Sequence, residues 1–170
     1  MNIIDLDSKE SLNNEIKEQN LSTLNCIQYN DIETFKSLIK EKGIRKEQDS
    51  LDWTYLHYAA FHNNTEIAKE LLNEGADINS LTIFNETPLF IATINTNVEM
   101  VDFLIKNNAD LHLENKYNIA PLKLAKIQYT FTKHDELKPK IAEIINKLET
   151  AININKEREI QLNNINEKSR

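Results

Sequence analysis

The chain has 170 residues, 40% hydrophobic and 28% charged, with a formal net charge of −7; that suits one compact domain with flanking segments and a sizeable core. No apolar run of about 18 residues could cross a membrane, and the start lacks the basic region and apolar stretch of a secretory signal, so a cytoplasmic location is expected. The single Cys26 excludes an intramolecular disulfide framework or a multi-thiolate metal site, and the acidic balance argues against a non-specific nucleic-acid binder.

Only Gly43 and Gly75 are glycine, whereas Asn occurs 23 times. Asn tolerates left-handed backbone best after Gly, so it is expected to hold turn positions. Residues 1–17 allow one short helix, capped by Ser8 or Ser11 with Leu12 and Ile16 on one side, as an N-terminal cap. From residue 18 to about 50 runs a degenerate unit: Leu24 to Tyr29, then Ile32, Phe35, Leu38, Ile39 and Gly43.

Farther along, an offset of 33 residues takes over. It carries Thr54-Tyr55-Leu56-His57-Tyr58-Ala59-Ala60 onto Thr87-Pro88-Leu89-Phe90-Ile91-Ala92-Thr93. Leu71 maps to Leu104, Ala76 to Ala109 and Asp77 to Asp110; Pro88, Leu89 and Ala92 map to Pro121, Leu122 and Ala125. Units are expected at 18–50, 51–82, 83–115 and 116–152, the last with an insertion near 129–139 before a second helix from Lys140 to Leu148. The apolar spacing of Ile144, Ile145, Leu148, Ala151 and Ile152 carries that helix onward, and 153–170 reads as a polar, solvated tail.

These units resemble the ankyrin repeat, on Thr54 to Ala60 followed by Ile67, Leu71, Leu72, Gly75, Ala76, Asp77 and Asn79, and on Thr87 to Thr93 followed by Met100, Leu104, Ala109 and Asp110. The resemblance implies an all-α solenoid of stacked helix–turn–helix units with short β-hairpin-like fingers. No unit can bury its apolar face alone, so stacking should set Leu56, Ala59 and Leu71 against Leu89, Ala92 and Leu104. The turn between paired helices should place Asp31, Asn63 and Thr96 at positive φ, with Asn97 as the substitute for an ill-fitting Thr96. Asp52, Asn85 and Asn118 should do the same in the fingers. Tyr55 replaces the motif's Pro, and Phe90 and Lys123 replace its His.

Signs of catalysis are few. Cys26 has no His near it in sequence, His57 and His62 do not share a helix face, and two isolated glycines make no phosphate loop. The expectation is therefore a non-enzyme without cofactor or metal. Thr54–Asn63 and Thr87–Thr96 contain no Asp, Glu, Lys or Arg. The resemblance implies that partners meet the finger tips and the concave side of these helices. Those positions are Leu51, Trp53, Phe61 and His62; Ile83, Phe84, Glu86, Ile94 and Asn95; and Lys116, Tyr117, Ile119, Ile127 and Gln128. Most are aromatic or aliphatic, as in an interaction surface, with Trp53, Phe84 and Tyr117 read as lying at or beside successive finger tips.

The function expected is protein binding, as an adaptor or inhibitor acting as a monomer on a protein partner, with neither nucleic acid nor membrane. The alternative is an accessory or effector-type chain acting with a separate enzyme, delivered into a host cell if the source is an intracellular microbe or virus. In a further variant Asn79, which resembles the Asn that some ankyrin proteins offer to a hydroxylase, is modified; a structural role in the finger outweighs that reading.

Overall fold

A computed structural model describes residues 22–42 and 50–168. The expected cap over 1–17 and Gly43 lie outside the described residues. Among the described residues eight helices follow in pairs: α1 (22–29) with α2 (Ile32–Lys42), α3 (Tyr55–Phe61) with α4 (Thr65–Asn73), α5 (Pro88–Ile94) with α6 (Val98–Lys106), and α7 (Pro121–Phe131) with α8 (Lys138–Lys168). No residue among those described is in a strand.

Local chemistry starts and stops each helix. Thr87 holds an extended backbone and its hydroxyl accepts the Phe90 N–H at 3.1 Å, while Pro88 and Pro121 occupy first-turn positions where no N–H is needed. After the first helix of each of the first three units one residue turns left-handed: Asn30, Asn63 and Thr96, at φ 55°, 60° and 58°, whereas Thr132 after α7 is extended. Asp52, Asn85 and Asn118 do so in the fingers, and Gly75 and Asn108 follow α4 and α6.

Two expectations need correction. Asn30 rather than Asp31 is left-handed, because Asp31 caps α2: its Oδ1 accepts the Thr34 N–H at 3.1 Å, and these hydrogen bonds hold the Asp31 carboxyl below its usual value. Thr96 itself takes φ 58° despite its branched Cβ, whereas Asn97 sits at φ −87° as the N-cap residue of α6.

The core runs the length of the array. Ile27, Phe35, Leu56, Ile67, Leu71, Leu89, Met100, Leu104, Ile144 and Leu148 are fully buried, and each such side chain stabilises by about 1.5–3 kcal/mol relative to exposure. First helices stack α3 on α5 and α5 on α7. Between units, backbone carbonyls left over at helix ends are met by side chains one repeat later. Asn64 Nδ2 donates to the Ile27 carbonyl; Asn97 Nδ2 donates to those of Ala60 and Phe61 at 2.8 and 2.9 Å; Gln128 Nε2 donates to that of Ile94 at 2.8 Å.

The fingers are tight turns. The Thr82 N–H donates to the Glu86 carbonyl and the Asn115 N–H to that of Ile119, both at 3.1 Å. One finger joins the next through Ile83 N–H to Leu51 carbonyl (3.0 Å) and Lys116 N–H to Phe84 carbonyl (2.9 Å), the same bond repeated 33 residues on.

In the fourth unit part of the expected insertion is helical, since α7 continues to Phe131. α8 starts at Lys138, packs through Ile141, Ile144 and Leu148, and continues to Lys168, with residues 153–166 exposed.

Candidate functional site

The first helices, uncharged in α3 and α5, and the fingers present two columns of exposed apolar side chains, each stepping by 33 residues. Leu51, Phe84 and Tyr117 form the finger column, 39–68% exposed; Phe61, Ile94 and Ile127 form the helix column, 38–46% exposed. Backbone bonds between fingers fix the register of the first column. That of the second is fixed where Asn97 and Gln128 grip the carbonyls of Phe61 and Ile94.

A third column, Trp53, Glu86 and Ile119, is half-buried. Trp53 therefore lies beside its finger tip and not at it. Its ring packs against Tyr58 at 5.1 Å and against His57 and Phe61 at 6.0 Å, joining finger to helix in the second unit. Counting 33 back from Phe84 reaches Leu51, and that signal was available in the sequence. Of the remaining expected positions, Ile83, His62 and Gln128 are half-buried, whereas Asn95 and Lys116 are exposed. Tyr29, Leu81, Tyr129 and Phe131 are exposed apolar residues that the sequence reading did not single out.

Beneath the columns His57 is fully buried and bonded on both ring nitrogens. Nδ1 accepts the Thr54 N–H at 3.1 Å, so Nε2 carries the proton and donates to the Glu86 carbonyl at 3.0 Å. The motif His is thus a tie between second and third units. Phe90 at the next such position is buried without a polar tip, and Lys123 at the last is exposed. Burial raises the pKa of Glu86, against a hydrogen bond from Thr82, and lowers that of His62.

Asn79 is a link as well. Its Oδ1 accepts the Asp110 N–H at 2.9 Å, and its own N–H donates to Asp77 Oδ1 at 2.9 Å. Carboxylates on the second helices bridge units on the opposite side: Glu70 to Lys36 at 3.4 Å and Asp102 to Lys147 at 3.0 Å. Cys26 is buried, and burial pushes its thiol pKa up, the opposite of what activates a nucleophile. Among the described residues no three His, Cys, Asp or Glu gather to hold a metal, and no helix is long and apolar enough to cross a membrane.

An open groove of about 590 Å³ lies along α7, lined by Leu111, Leu122, Lys123, Ile127, Phe131 and Ile152 among others. Lys123 and Lys126 are exposed there, where the preceding units bury His57 and Phe90, and Ala60 and Thr93. Lys126 is bridged to Glu149 at 2.7 Å.

A family model of ankyrin repeats, in three copies, matches residues 23–115. It spans the first three helix pairs; the fourth follows through the same finger and helix-end bonds. No curated protein matches the chain.

Proposed function

Since the chain belongs to the ankyrin-repeat family, whose repeats are generally protein–protein interaction modules and typically non-catalytic, we propose that it is an adaptor or inhibitor. On this reading the array over 18–152 acts as a cytoplasmic monomer and grips a protein partner between the finger column and the helix column, with 153–170 outside the array. The observation that carries it is the pair of exposed apolar columns, Leu51, Phe84 and Tyr117 on the fingers beside Phe61, Ile94 and Ile127 on the first helices, in register, with α3 and α5 free of charged residues. Folding alone gives no reason to expose large apolar groups at six positions of constant spacing, whereas interface cores are built from such groups. Half-buried Trp53, Glu86 and Ile119 would floor the site, and Ile83 and His62 would edge it.

Capture from native lysate by the full chain and by a Leu51→Ser, Phe84→Ser, Tyr117→Ser variant tests this. Trp53 is left in place, because its ring is packed and its loss would confound folding. Capture lost with the melting temperature retained supports the reading. Capture unchanged moves the partner to another surface and defeats it.

A further inference from the structure

The two apolar columns step along the array at a spacing that few polypeptide conformations can follow. Stacked first helices lie about 8–10 Å apart. Each finger contributes two arms, bonded within the finger (Thr82 to Glu86) and to the next finger (Ile83 to Leu51); at about 4.8 Å per arm the finger step is about 9.6 Å. Both columns therefore repeat at close to one interval.

An α-helix advances about 10.5 Å in seven residues and returns to nearly the same face. An extended strand covers that distance in about three residues and then points the other way. Residues i, i+7 and i+14 of one helix can thus meet Leu51, Phe84 and Tyr117 in turn, while a second stripe three or four residues on meets Phe61, Ile94 and Ile127. A strand could match only alternate steps.

Charge adds a direction. Beside the finger tips, Asp52 flanks Leu51 in the second unit, and exposed Lys116 flanks Tyr117 in the fourth. Exposed Lys123 stands on α7 where the earlier units bury His57 and Phe90. Positive charge is therefore concentrated at the fourth-unit end of the columns.

From this geometry we infer that the partner segment is an amphipathic α-helix lying along the array from second to fourth unit, apolar at heptad spacing, with acidic residues at its fourth-unit end. The inference rests on the partner-binding reading above and specifies the partner's class.

A display library of random peptides about 21 residues long, three heptads, selected on the full chain, tests it. Enriched peptides should carry apolar residues at i, i+7 and i+14 and gain helical circular dichroism on binding. Ile94→Lys should weaken a synthetic enriched peptide by about tenfold or more without changing the melting curve. Lys116→Glu with Lys123→Glu should shift selection away from acidic ends. Enriched peptides that alternate with period two, yet still depend on Ile94, overturn the helix while leaving the binding reading intact. Peptides indifferent to Ile94→Lys overturn both, and a library yielding no enrichment overturns the helix.

Discussion

The side chain of Asn63 caps a helix that does not belong to its own unit. From a left-handed backbone its Oδ1 accepts the Met100 N–H at 3.1 Å, and its Nδ2 donates to Glu99 at 3.0 Å, so the turn of the second unit closes the first turn of α6. A residue that sequence marks as a glycine substitute thus has a second duty. The Glu99 carboxyl is held below its usual pKa by a backbone hydrogen bond first and by Asn63 second.

The turn positions should therefore respond unequally to substitution. Asn63→Gly relaxes the backbone but loses both cross-unit bonds, and should cost about 1 kcal/mol in urea unfolding. No side-chain bond of Asn85 is found among the described residues, so Asn85→Gly should be neutral or slightly stabilising. Thr96, branched at Cβ and left-handed, is the strained member; Thr96→Asn should stabilise by about 1 kcal/mol. Equal midpoints for all three variants would show that the left-handed turns carry neither strain nor cap.

Asn97 tests how the units are tied. Its Nδ2 serves two α3 carbonyls, Ala60 and Phe61. Asn97→Ala leaves them to whatever water can reach, at an expected cost of about 1–2 kcal/mol. Asn97→Asp should cost more, because a carboxylate then faces two carbonyl oxygens. Thermal melts of the two variants check the order, and Asp outlasting Ala would contradict the tie.

Glu86 sets a pH dependence. Burial lifts its folded pKa above the ordinary 4.5, so the ionised side chain is less at home in the folded chain than in the unfolded one. Its contribution is fully present below the unfolded pKa and is lost as pH rises through the folded value. Glu86→Gln should accordingly melt higher than the parent chain near pH 7, and the gain should vanish by about pH 3.5, where both side chains are neutral. A gain that is the same at both values would show that charge plays no part.

The far end of α8 should be dispensable for stability. Residues 153–166 are exposed, and the packed face of the helix ends near Ile152. Removing 153–170 should change the unfolding free energy from urea titration by no more than about 0.5 kcal/mol, as for surface changes. A large drop would mean that the segment buries apolar surface.

The sequence alone determined the repeat, the pairing of helices, and most of the core. Leu56, Ala59, Leu71, Leu89, Ala92 and Leu104 were legible because a nearest-neighbour stack makes one offset serve burial in every unit. Left-handed Asp52, Asn63, Asn85 and Asn118 were legible because local sterics select Asn, Asp and Gly there. Tertiary structure alone decided that Asp31 is a cap with Asn30 left-handed, and that Asn63 and Asn97 bond across units. It also decided that Trp53 turns inward against Tyr58 while Leu51 faces out. A finger residue's side-chain direction depends on the finger and helix stacked against it, and those neighbours lie about one repeat away, beyond the reach of local propensity.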